Sequence, residues 1–226
     1  MEELKCKALF TDIAEHTIAH ELIAECEYPW QILPKIKEFI LELGPTLSEE
    51  DYYLLKENVW VARGVKISPT ADITGPTIIC EGAEIRPSAF IRGSAIVGRG
   101  AVVGNSTELK NAILFDGVQV PHFNYVGDSI LGYRSHTGAG AITSNVKSDK
   151  TLVTLNTPFG RIETGLKKFG AILGDFVEVG CNSVMNPGTV IGRCSNVYPL
   201  SSVRGFVPAN SILKNIQTQA LTVKKN

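Results

Sequence analysis

The stretch VWVARGVKISPTADITGPTIICEGAEIRPSAFIRGSAIVGRGAVVGNSTELKNAILF, residues 59–115, carries an aliphatic residue at every sixth position. The series runs Val61, Ile67, Ile73, Ile79, Ile85, Ile91, Val97, Val103, Leu109 and then Phe115. Two residues before each lies a second series of mostly small side chains: Val59, Val65, Ala71, Thr77, Ala83, Ala89, Ala95, Ala101, Thr107 and Ile113. A period of six does not fit the 3.6 of a helix and is too short for a helix pair. It fits a short strand followed by a tight corner, with both series pointing inward. Glycines such as Gly98, Gly104, Gly174, Gly180 and Gly192 are expected at those corners. Stacked coils of this kind pair their strands in parallel at about 4.8 Å per layer, and each coil buries its inner stripe only against its neighbours.

The same register returns as Leu173, Val179, Met185, Ile191, Val197 and Val203, so the scaffold continues beyond an irregular middle. Between Phe115 and Leu173 the register slips, and residues 146–169 alternate like strands around NTPFG, which predicts a protruding loop or hairpin. A departure from the repeat in a rigid solenoid is where function is expected, because such a loop escapes core packing. On the N-terminal side, residues 12–26 and 36–43 have helical spacing, broken by YPWQILP. SEED at 48–51 reads as the cap of a further short helix into YYLLKEN that would cover the first open end of the coil. The expected organisation is a helical appendage at 1–58, a coil domain at 59–213 with its insertion at 146–169, and a tail at 214–226.

Composition bounds the function. With 22 basic and 23 acidic side chains no broad surface for nucleic acid is expected, and the C-terminal end carries Lys214, Lys224 and Lys225. The N-terminus has no apolar signal region and no run approaches a membrane span, so a cytoplasmic protein without membrane contact is expected. Cys6, Cys26, Cys80, Cys181 and Cys194 form no CxxC pair, which fits free thiols. His16 and His20 have the i, i+4 spacing of metal ligands, but no HExxH motif and no suitably placed third ligand, so no metal is expected.

The segment VPHFNYVGDSILGYRSHTGAGAITSN, residues 120–145, sets His122 and His136 beside Tyr125 and Asn145. A neutral imidazole can take a proton near pH 7, and TGAGA exposes backbone N–H groups of the kind that stabilise an oxyanion. Solvated corner histidines and a tight glycine corner are the alternative reading of the same residues.

VGNSTELKNAIL, VPHFNYVGDSILG, TGAGAITSN and ILGDFVEVGCNSVMNPGTVIG together resemble the acetyltransferase half of the bacterial bifunctional glucosamine-1-phosphate acetyltransferase and N-acetylglucosamine-1-phosphate uridylyltransferase, over about residues 59–205. The resemblance implies a mainly β fold, a left-handed parallel β-helix of hexapeptide repeats with a small helical N-terminal segment. It also implies a homotrimer with acetyl-CoA as acyl donor and an amino-sugar phosphate or nucleotide-sugar-like acceptor. By the same resemblance the catalytic residues are His122, as general base, and Asn145. Lys110, Tyr125, Lys168, Arg92 and His136 are then acceptor contacts, and Ala139 and Cys181 donor contacts. Val146, His136, Cys181 and Phe90 stand where that family has Tyr, Asn, Ser and Arg. No Gly-rich nucleotide loop occurs in residues 1–58, so no uridylyltransferase activity is expected. A trimer that binds sugar phosphates without turnover is the competing expectation.

Overall fold

The computed structural model describes residues 1–158 and 160–214. Residues 59–213 wind into a three-faced parallel β-solenoid. The first face stacks Val59–Ala62, Thr77–Ile79, Ala95–Val97, the ends of Glu108–Leu114 and Tyr125–Leu131, then Ala171–Leu173, Thr189–Ile191 and Phe206–Val207. The second is an 8-stranded parallel sheet from Lys66–Ile67 to Ile212–Leu213. The third runs from Asp72–Ile73 to Ser202–Val203. Aliphatic or small side chains recur at each inward position, because every coil repeats the same three strands over the coil below.

The register shows why the middle looks irregular as a sequence. Thr77 pairs with Ala95, 18 residues on, whereas Ala95 pairs with Ala112 and Ala112 with Ser129, each 17 residues on. Each of these two coils omits one residue where the third face turns into the first. The inward residue after Leu109 is therefore Leu114, paired with Val97, and not Phe115 as the hexad count expects. With that correction the stripe runs on through Val120, Val126, Leu131, Thr137 and Thr143, all at most 1% exposed. Ile130 then pairs with Ile172, 42 residues on against 18 in the next coil, so 24 extra residues leave the solenoid here. They form an antiparallel hairpin, Thr154–Thr157 with Gly160–Glu163. Its second strand is largely exposed, while Val153 and Leu155 are fully buried.

The first face is covered on its outer side as well. Ile78, Ile96, Ile113, Ile130, Ile172 and Val190 alternate outward from the inner stripe and are all 0% exposed. The N-terminal segment covers them with the short helices Cys6–Leu9, Ile13–His16 and His20–Ala24 and the helix Ile36–Leu43. Polar ties fasten it: Thr11 donates its N–H to the buried Asp175 carboxylate at 2.7 Å, and Phe10 meets Phe115 with ring centroids 4.8 Å apart. Among the described residues no helix is long and apolar enough to cross a membrane.

Residues 52–56 differ from the expectation of a helix. Tyr52–Lys56 is a strand, antiparallel to Val59–Ala62. The first coil has a row of unpaired backbone groups, and a strand opened by the β-favouring Tyr52 and Tyr53 pairs with it where a helix could not. The tail expected at 214–226 lies outside the described residues apart from Lys214.

Candidate active site

The two short coils create the candidate site. Where the third face turns into the first, preceding coils use two residues such as Gly93 and Ser94, but Asn111 and Asp128 each turn the corner alone in the left-handed region, both at φ 48°. Asn and Asp tolerate that conformation better than other non-glycine residues. Asp128 is 5% exposed. Its Oδ1 accepts from Asn111 Nδ2 at 3.0 Å, and its Oδ2 accepts from Asn145 Nδ2 at 2.5 Å and faces Lys110 Nζ at 3.5 Å. Asn145 Nδ2 also donates to the Tyr125 phenol oxygen at 3.2 Å. The Tyr125 ring lies over Gly127, where any β-carbon would collide with the phenol. Burial, reinforced by the negative charges of Asp128 and Glu108, pushes the Tyr125 phenol above its ordinary pKa.

Two sequence-predicted residues, Lys110 and Asn145, thus converge on one carboxylate, and a third, Tyr125, joins them through Asn145. Arg92 lies one coil below Lys110, paired with Glu108 at 2.7 Å and 5.8 Å from the Phe90 ring centre. Lys168 is exposed at the end of the insert, and the next residue, Phe169, donates its N–H to the Asn145 carbonyl at 3.0 Å.

The opposite edge of the third face carries a second set. The carbonyls of His122, Ala139 and Cys181 accept from the N–H groups of Gly140, Asn182 and Leu200 at 3.0, 2.8 and 2.9 Å, which places the three residues in one column up successive coils. His122 is exposed, and its imidazole has no hydrogen-bond partner among the described residues. The Ala139 N–H likewise has no acceptor among the described residues. Gly138 permits this packing, because a β-carbon there would strike Cys181. His136 does not join either group. It faces outward on the second face, with Nδ1 at 2.7 Å from Glu178 Oε2. His16 stacks on Tyr133 at 3.6 Å, and His20 bonds the Thr17 carbonyl at 3.2 Å, so each has a structural contact.

Two polar residues escape the sequence reading. Asn124 occupies an inward position and is 3% exposed, donating to the carbonyls of Gly138 at 2.8 Å and Ala141 at 3.2 Å while accepting from the His122 N–H at 3.0 Å. It fixes the backbone of the His122 corner to that of Ala139. The signal for both is the corrected register, which sets Asn124 where Thr107 and Ala141 stand in other coils and Asp128 where Asn111 stands.

Residues 73–196 match the family model described as GMPPB C-terminal domain. The chain belongs to that family. Among curated relatives, the "Bifunctional protein GlmU" of Methanococcus vannielii is 33% identical over 201 residues, covering 88% of this chain and 46% of that protein. The "Bifunctional sugar-1-phosphate nucleotidylyltransferase/acetyltransferase" of Sulfurisphaera tokodaii is 36% identical over 97 residues, 43% of this chain and 24% of that protein. This member of the family spans about half the length of the first of these relatives. Among solved structures, a point mutant of AntD, an N-acyltransferase from Bacillus cereus in complex with dTDP and Coenzyme A, is 18% identical. It covers 77% of this chain and 91% of its own, with a TM-score of 0.36.

Proposed function

We propose that this chain is an acetyl-CoA-dependent N-acyltransferase acting on the amine of an amino-sugar phosphate or a nucleotide-sugar-like acceptor. The observation that carries the reading is the division of labour across the third face. Lys110, Tyr125 and Asn145 line one edge, and His122, Ala139 and Cys181 line the other. The acetyltransferase named in the Sulfurisphaera relative supports the same class.

In this reading His122 takes a proton from the acceptor amine as its nitrogen attacks the thioester carbonyl carbon. The Ala139 N–H donates to the oxyanion that forms. When the tetrahedral species collapses, the C–S bond breaks and the CoA thiolate recovers the proton from the imidazolium. Lys110, Arg92 and Lys168 supply positive charge for a phosphate, while Asn145 and Tyr125 orient the ring. Every step is carried by these side chains and the backbone, and the described residues include no cluster of metal-ligating groups. The chain works as a homotrimer in a reducing, cytoplasmic compartment, a reading supported by a first face closed by its own helices, which leaves the other two for like subunits, and by five free thiols.

A second reading, a sugar-phosphate-binding protein without turnover, is favoured by the His122 imidazole having no orienting partner among the described residues. CoA release from acetyl-CoA with glucosamine-1-phosphate and a panel of other amino-sugar phosphates separates the two. The enzyme reading expects turnover that falls about 10²-fold in His122→Ala. Calorimetric binding of a sugar phosphate with no CoA release from any of the panel supports the second reading and overturns the first.

A further inference from the structure

Asp128 is more than the corner requires. The equivalent corner in the preceding coils is turned by Ser94 at φ 51° and Asn111 at φ 48°, so a small polar residue in the left-handed region suffices to make the bend. A carboxylate 5% exposed is costly to bury and persists only with partners, and Asp128 has three: the neighbours Lys110 and Asn111 in the coil below and Asn145 in the coil above. Lys110 and Asn145 are acceptor contacts in the reading above. The third partner leads elsewhere: Asn111 Nδ2 donates both to Asp128 and, at 3.1 Å, to the carbonyl of Leu33 in the N-terminal appendage. A continuous path of hydrogen bonds therefore runs from Leu33 through Asn111 and Asp128 to Asn145 and Tyr125.

We propose that Asp128 is the positioning residue of the acceptor edge, holding the Lys110 ammonium and the Asn145 amide in place, and that Asn111 makes this arrangement depend on the docked N-terminal helices. A lysine on a four-carbon stem loses much rotamer freedom when it grips a ligand, and an ion pair formed beforehand removes part of that cost. Asp128 touches no reacting atom, so its effect falls on acceptor affinity and not on proton transfer at the far edge. This kinetic consequence rests on the acyltransferase reading, but the state of Lys110 in the free protein does not.

Two variants test it. Asp128→Asn keeps the size and the tolerance of the left-handed corner while removing the charge, and Asn111→Gly keeps the corner while deleting the link to Leu33. Both are first compared with wild type by circular dichroism and thermal midpoint. Reductive methylation of Lys110 is then followed by mass spectrometry in the free protein, and steady-state constants are measured for glucosamine-1-phosphate and acetyl-CoA. Asp128→Asn is expected to speed Lys110 methylation severalfold and to raise the acceptor KM about tenfold with little change in the acetyl-CoA KM, the size typical of losing a charge-assisted hydrogen bond. Asn111→Gly is expected to show the same pattern more weakly.

Unchanged methylation and unchanged acceptor KM in a folded Asp128→Asn overturn the proposal. So does a joint rise of both KM values with a lowered thermal midpoint, because that is the signature of a merely structural residue. If wild type acetylates none of the amino-sugar phosphates, the acyltransferase reading fails by itself, and the methylation rate alone then supports or overturns the role of Asp128.

Discussion

The five cysteines divide by environment. Cys6, Cys26 and Cys80 are buried, whereas Cys181 and Cys194 are exposed. Burial pushes the Cys6 and Cys80 thiols up to about 12, so neither forms the reactive thiolate near neutral pH. A chromogenic disulfide reagent at pH 8 is expected to titrate two thiols in the native protein and five after unfolding. Acetyl-CoA is expected to slow labelling of Cys181 but not of Cys194, since only Cys181 shares the column of His122 and Ala139. Tyr125 gives a pH test. Its phenol is raised in the folded state above the ordinary value of 10.0, so the unfolded chain ionises first, and the stability this group contributes is complete below pH 10 and lost as pH rises through the folded value. Urea midpoints measured upward from about pH 9 are expected to fall less steeply in Tyr125→Phe than in wild type. His122, Lys110, Tyr125 and Asn145 are legible in the sequence because their residue types stand out from an aliphatic repeat. Asp128 and Asn124 are not, because their burial depends on a corner one residue shorter than the hexad rule allows.

Among the elements, the first face is buried on both sides and the second strand of the hairpin on neither. Amide hydrogen exchange is therefore expected to be slowest in Ala95–Val97 and Ala171–Leu173 and fastest in Gly160–Glu163. Ile113 lies midway along the outer side of the first face, fully buried next to the helix Ile36–Leu43. Ile113→Ala is expected to cost about 2–4 kcal/mol, seen as a lower urea midpoint and faster proteolysis within residues 1–47. The hexads reveal the coils because inward packing imposes a strict period. They do not reveal which face is covered, since that is written in a weaker signal, the outward aliphatic recurring once in three hexads at Ile78, Ile96, Ile113 and Ile130. The strand Tyr52–Lys56 is hidden for a different reason: its conformation is set by the open edge it pairs with, not by its own capping residues.

At the scale of the molecule, the solenoid is built from contacts between adjacent coils, and its stability is close to a sum over neighbours. The outward residues of the second and third faces are largely exposed or half-buried, while the first face is closed by the appendage. Sedimentation equilibrium is expected to give three times the 24.5 kDa chain mass, and monomeric behaviour at all concentrations would sink the trimer.

The appendage lying along the first face also sets an order of events during synthesis. The helices emerge from the ribosome before the coils, yet Leu33 must wait for Asn111, Phe10 for Phe115 and Thr11 for Asp175, a separation of 164 residues. The coils can zip up locally as they are translated, whereas the N-terminal apolar surfaces stay without a seat until most of the chain exists. A nascent chain arrested before Asp175 thus presents coils already stacked beside helices not yet fully docked, which leaves the appendage exposed for longer than the coils it will cover.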